Sequence, residues 1–481
     1  MPMTHTHLRA ALVLGVSLVL ASTASAQIGR RFASEKRVVP DPVTGVPLTF
    51  LTSTPAGDSK IYQTHPQWTS DGKWLIFRSG RAPGQAMAVN EETGDMVQVT
   101  EAGYTGMLCV ARHSMKLYLM RDPTRGAGRG GGAAPAVVAL PAGSGTPPAR
   151  GGGVTRLRTP LQIVEVDLAR LFADSAAGTL KAATVYERVC GTIPAEMGAA
   201  GGDMALDANE DVAYFRMSGG NLASRLPAGT KVAAPFGPRG MGAGPAGLAG
   251  MNLQTGDIRF IVAVPFQIGH VQTNPWVPGE IVFCWETGGK APQRTWTVMA
   301  DGTGLRPLYP EAAYEWITHE AVITKDEVAI AILGHRRPTA IEGPGQEAAW
   351  GPTGMPDHPT GVGIVNVRTR EMRTVGQVPV GDPGNSIWHV NGSADGRWAV
   401  ADDFQYRLWL IDRHTGEMIL LSDNGHKKTA ADHQHPTFSA DGTRVEIQSA
   451  MLSADGRSMN ICIVPVPASW LARTYADRIL K

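Results

Sequence analysis

The chain has 481 residues, 43% hydrophobic and 18% charged, which excludes a disordered tail and a small disulfide knot. Lys plus Arg numbers 44 against 43 for Asp plus Glu, so no general field attracts nucleic acid or an anionic membrane, and an anionic ligand must be held by a local site. The 57 glycines and 34 prolines favour many turns and short strands over long helices.

Residues 1–26 read as a cleavable export signal: Arg9, an apolar run from Ala10 to Ala21, and the small-residue site Ala24-Ser25-Ala26 before Gln27. No later stretch reaches the roughly 18 apolar residues of a membrane span, and no Cys follows the cleavage site to carry a lipid. The expected mature protein is a single domain, 27–481, periplasmic or secreted.

From there one pattern recurs: an apolar residue, a polar turn with Asp-Gly, then an apolar strand. It occurs at Pro66–Phe77, Asn391–Asp402 and Pro436–Ile447. Asp-Gly between apolar runs is a strong hairpin signal. A second turn motif follows in several copies: Glu92-Thr93-Gly94-Asp95, Gln254-Thr255-Gly256-Asp257 and His414-Thr415-Gly416-Glu417. Strand, Asp-Gly turn, strand, connection, strand, Thr-Gly turn, strand is a four-stranded antiparallel blade. Seven such units start near Leu48, Gly103, Met197, Phe266, Trp316, Ile387 and His435. The fold class expected is all-β, a seven-bladed β-propeller, with the strand around Val39–Ser53 completing the last blade. Three Gly/Pro-rich stretches, about 124–154, 219–250 and 336–360, fall outside the template and read as surface insertions, one of them a candidate lid. Cys109, Cys190, Cys284 and Cys462 lack metal-ligand spacing and read as buried thiols, with oxidation of one pair left open.

The histidines stand in register with the turns. His65, His389 and His435 each lie six residues before the Asp of an Asp-Gly turn; His319 lies six before Lys325, and His270 eight before Pro278-Gly279. Five of seven units therefore place an imidazole where the chain begins a blade, a position that surrounds the central channel. The last unit adds His433, whose i, i+2 spacing to His435 puts two imidazoles on one strand face roughly 6–7 Å apart. With His319 as a third ligand they can hold a divalent ion, Mn²⁺ first, with Zn²⁺ or Fe²⁺ as alternatives. No G-x-S-x-G elbow, phosphate-binding loop or H-E-x-x-H occurs, and no room remains after residue 466 for an α/β-hydrolase domain.

Ile317-Thr318-His319-Glu320, Gly269-His270 with Phe283-Cys284-Trp285-Glu286, and Asp432-His433-Gln434-His435-Pro436 with Phe438-Ser439 together resemble the oligogalacturonate lyases, polysaccharide lyase family 22. Asp41-Pro42-Val43-Thr44-Gly45, Gly57-Asp58-Ser59, Tyr62 and His65-Pro66 are similar too, and the resemblance runs from about Val38 to Val466 apart from the insertions. It implies a propeller that holds a manganese-like ion in its channel and cleaves short α-1,4-linked galacturonides by β-elimination. His319, His433 and His435 match that family's metal ligands, and His270 its proton-abstracting base. Its fourth ligand, a Gln three residues before the histidine pair, is Ala430 here, and its usual cytoplasmic location differs from the export signal of this chain. His65, His389, Arg81 and Arg216 are the candidate substrate-binding residues, the arginines as clamps for uronate carboxylates. The expected partner is an acidic oligosaccharide, with no nucleic acid and no membrane span. Two other readings remain open at this stage: a non-catalytic Tol-associated type of propeller that binds a protein, and a different carbohydrate-active enzyme using the same histidines.

Overall fold

The three Asp-Gly turns of the repeat are built by their neighbours in the same way. The hydroxyls of Thr69, Ser393 and Ser439 donate to Asp71, Asp395 and Asp441 at 2.6 Å. Those carboxylates accept the N–H of Lys73, Arg397 and Thr443, and Gly72, Gly396 and Gly442 take positive φ. The turn therefore needs a hydroxyl, an acid and a glycine in that order, and it reverses the chain from the first strand of a blade to the second.

The computed structural model describes residues 27–124, 159–199, 202–235, 241–312, 315–335, 360–377 and 386–475. The export signal and most of the first and third insertions, with the lid expectation as it concerns those two, lie outside the described residues. Seven antiparallel sheets follow one another along the chain and form a seven-bladed β-propeller. Their innermost strands are Asp58–Lys60, Thr105–Val110, Met204–Leu206, Ile268–Thr273, Glu315–Thr324, Ile387–Gly392 and Thr437–Phe438. The ring closes as the sequence implies: Pro47–Phe50 pairs with Asn460–Pro465, Thr49 opposite Ile463 and Phe50 opposite Cys462. Two sheets gain a fifth strand, Arg37–Pro40 on the last blade and Arg31–Phe32 on the first. Apolar clusters fill the gaps between blades; one joins Phe50, Trp398, Leu410, Val445 and Val464, all but fully buried. Each such side chain contributes roughly 1.5–3 kcal/mol. All four cysteines are free and buried.

Two local features depart from the sequence reading. The stretch taken as an insertion through residue 250 contains the strand Ala243–Asn252. Its glycines are packing sites: a Cβ on Gly247 would lie 2.7 Å from Leu222, and one on Gly250 3.0 Å from Tyr214. A helix, Leu168–Ala177, stands between the third and fourth strands of the second blade, capped by Asp167 and ended by Gly178 at φ 68°. Phe172 on this helix stacks on Trp74 of the first blade at 4.3 Å.

All three insertions join the second and third strands of a blade: after Lys116–Arg121, after Val212–Met217 and after Glu327–His335. Because the first strand runs away from that face and the second returns to it, all three leave from the face on which the inner strands begin.

Candidate functional site

The inner strands of blades four to six carry a one-residue irregularity where their histidines stand. Register slips between Gly269 and Gln272, between Thr318 and Glu320, and between Ile387 and Val390. An extra residue in one strand re-aims its side chain, here toward the channel. His270, His319 and His435 have φ of 50°, 34° and 50°. A non-glycine residue there is strained by on the order of 1–2 kcal/mol, a cost that persists where the surroundings fix it.

The re-aimed rings meet around Tyr62. Its ring centroid lies 5.0 Å from that of His270, 6.4 Å from His319, 6.1 Å from His389 and 5.1 Å from His435. His389 lies 4.3 Å from His319, 3.7 Å from His435 and 5.7 Å from His433. The structure therefore brings together the predicted base, the three predicted ligands and one predicted substrate contact.

Hydrogen-bond partners fix the tautomers. A carbonyl or carboxylate only accepts, so a ring nitrogen facing one carries the proton. His319 Nδ1 donates to the Trp388 carbonyl at 2.5 Å, His435 Nδ1 to Gln63 Oε1 at 2.8 Å, and His389 Nδ1 to Asp402 Oδ2 at 3.0 Å. The Nε2 lone pair of each is thereby left for a ligand, the arrangement metal-binding histidines use. His435 Nε2 also lies 2.9 Å from Asp432 Oδ2, an ion-pair contact outside hydrogen-bond geometry, so that carboxylate competes for this nitrogen. Burial holds His433 down to about 4, hence neutral, and its Nδ1 is buried with no protein partner. Buried orphaned polar atoms call for a water or an ion. Tyr62 Oη, Gln63 Nε2, His433 Nδ1 and His435 Nε2 are four of them in one place. These residues fit a divalent ion.

Among the described residues two groups of donors lie close enough to share an ion, within 4.8 Å of one another: His389, Asp402 and His433, and His270, Cys284 and Glu320. The second is the poorer, because burial pushes the Cys284 thiol well up and keeps it protonated. His270 belongs to a charged cluster instead. Its Nδ1 lies 3.0 Å from Glu320 Oε1 and its Nε2 3.4 Å from Glu286 Oε2, while Arg294 lies between those carboxylates, Nε 3.3 Å from Glu320 and an Nη 3.7 Å from Glu286. Burial opposes charge on His270, but the Coulomb attraction and hydrogen bond of Glu320 outweigh it and raise its pKa. Its side chain is 19% exposed, against 2% for His389 and 6% for His435.

The remaining predicted contacts sit differently. His65 has the opposite tautomer: Nε2 donates to the Met204 carbonyl and Nδ1 accepts from Thr64, both at 2.8 Å, which occupies both nitrogens and ties the first blade to the third. Arg81 is held by Glu35 at 2.6 Å and by Asp58, and its recorded partners include no channel histidine. Arg216 pairs with Asp203 at 3.2 Å and donates to the Ile268 carbonyl at 2.7 Å, two residues before His270. Sequence reading passed over Arg294 and Asp402; the signal available was an acid at the end of an apolar strand, Trp398–Asp403.

No family model and no curated protein matches the sequence. Solved structures do. An oligogalacturonate lyase in complex with manganese superposes with a TM-score of 0.63 at 17% identity, covering 92% of this chain and 99% of that one. An oligogalacturonate lyase from Vibrio parahaemolyticus gives 0.64 at 18% identity, covering 92% and 100%. The chain has the fold of the oligogalacturonate lyases. Coverage of nearly the whole of those chains means that the comparison extends to all seven blades and not to a shared core alone. Among the described residues no helix is long and apolar enough to cross a membrane.

Proposed function

We propose that this protein is an exported, metal-dependent lyase that cleaves short oligogalacturonides, or related uronate oligosaccharides, by β-elimination in the propeller channel. The observation that carries the reading is the set of imidazoles anchored through Nδ1 around Tyr62, beside the His270–Glu320–Arg294 cluster. Manganese-binding by a protein of the same fold supports it.

A uronate C5 proton is hard to remove because the resulting carbanion lies next to a carboxylate. His319, His433 and His435 would hold the divalent ion, which when bound supplies Lewis-acid stabilisation of that carboxylate. His270 accepts the C5 proton at Nε2, since Glu320 keeps the other proton on Nδ1 and stabilises the imidazolium that forms. Arg294 offsets the two carboxylates that flank the base. Burial, with the Glu320 charge, raises the pKa of Tyr62 well above the ordinary phenol value, so its hydroxyl stays protonated and would be the donor to the departing C4 oxygen.

Incubation of the protein with Mn²⁺ and short galacturonides tests this. The expected result is the ultraviolet absorbance of a double bond conjugated to a carboxylate. New reducing ends without that absorbance would mean hydrolysis and would overturn the lyase reading.

A further inference from the structure

The lyase resemblance supplies three imidazoles and a glutamine, and here the glutamine position is Ala430. Ala430 lies in a turn, its N–H on the Lys427 carbonyl at 2.9 Å, and its methyl group can donate no lone pair. One further imidazole neighbours all three of the others: His389, 4.3 Å from His319, 3.7 Å from His435 and 5.7 Å from His433 between ring centroids. It is 2% exposed.

Asp402 is the natural competitor for a place on the ion, and its hydrogen bonds argue against it. Its Oδ1 accepts the His389 N–H at 2.7 Å, and its Oδ2 accepts the N–H of Gln434 and of His435 at 3.2 Å each. The His389 Nδ1–H makes a fourth donor, 3.0 Å from Oδ2. Three of these donors crowd Oδ2, which has two lone pairs, and Oδ1, which also lies 3.2 Å from the His389 Nδ1, would have to loosen its hold on that ring to reach an ion. Asp402 thus anchors the strand of His389 to the histidine pair and turns the His389 ring so that Nε2 faces away from the carboxylate.

We infer that His389 is a metal ligand of this chain, standing in for the amide that Ala430 lacks, with Asp402 as its positioning residue. The centre is then His319, His389, His433 and His435. This rests on the reading of the channel as a metal centre, though not on the lyase reaction. Four imidazoles favour a nitrogen-seeking ion such as Zn²⁺ over the oxygen-seeking Mn²⁺.

The test uses the full chain titrated with Zn²⁺ alone by calorimetry, together with X-ray absorption of the zinc-loaded protein. Removing an outer-shell partner of a metal ligand typically lowers affinity about 10–100-fold, the loss expected of Asp402→Asn. His389→Ala is expected to lose more than that, with one zinc bound by four imidazole nitrogens in the parent protein. If His389→Ala bound zinc as the parent does while His433→Ala did not, the ligand assignment would fail and the metal centre would stand. A spectrum with three imidazoles and one oxygen would also overturn it, and would point to Asp402 as the ligand. A parent protein that binds no zinc would overturn both. Should His389→Ala fail to fold, the ligand count in the parent protein decides the matter.

Discussion

Blades two and three differ from blades four to seven at the same depth of the ring. In blades four to six the inner strand, and in blade seven the segment just before it, delivers an imidazole into the channel. In blades two and three the corresponding stretch carries Gly106 and Gly202, at φ 74° and 66°, and the two backbones touch. A Cβ on Gly202 would lie 2.5 Å from the Gly106 Cα, and Met107 N–H donates to the Gly202 carbonyl at 2.9 Å. Both halves use left-handed backbone at the inner strand. One uses it to bring two neighbouring blades into direct backbone contact, the other to aim side chains. A propeller can therefore confine its chemistry to one arc without changing the architecture of the blade.

Substitutions on the two arcs should separate these roles. On the chemical arc, His270→Ala is expected to lower turnover by on the order of 10² to 10⁴ while leaving the melting temperature and zinc content nearly unchanged; steady-state kinetics and calorimetry on one preparation check this. On the arc of blades two and three, Gly202→Ala places a Cβ against backbone in a left-handed conformation, and should reduce stability by roughly 2–4 kcal/mol. The turnover of the molecules that remain folded should not change. Denaturant titration measures the loss, and unaltered stability would mean that the Gly106–Gly202 contact is not a constraint.

His65 sits at the junction of the arcs, bound to Met204 of the third blade. Burial holds its pKa down to about 4. The unfolded chain takes up this proton near pH 6.5 and the folded chain only near 4. The stability contribution is therefore full above about 6.5 and is lost as pH falls toward 4, on the order of 3 kcal/mol in all. His65→Gln should flatten the acid limb of a stability–pH curve between those values; an unchanged slope would place the acid sensitivity elsewhere. The smallest effect concerns strain without chemistry. Arg370 has φ 67° in a turn where the equivalent residues are Gly94, Gly256 and Gly416. Arg370→Gly should raise stability by about 1 kcal/mol, read as a small increase in melting temperature.

That turn also illustrates what could be read in the sequence. Asn90, Asn252 and Asp412 cap Thr-Gly turns that the motif made visible. Asn366 caps a fourth in the same way, through the N–H of Thr369, but Arg370 replaces the glycine and hides it. The blades and the channel histidines were legible because turn chemistry and imidazole spacing are local. Asp402 and Arg294 were not, because their roles arise between blades: Asp402 reaches Gln434 and His435, more than 30 residues on. The Leu168–Ala177 helix had its own local signals, a capping Asp167 and a terminal Gly178. A template made only of strands passed over them.

The most direct test of the elimination chemistry is the mass spectrum of the products of one defined short galacturonide. β-Elimination adds no water, so the product masses are expected to sum to that of the substrate, with the unsaturated sugar at the new non-reducing end. Products whose masses sum to the substrate plus one water would contradict it.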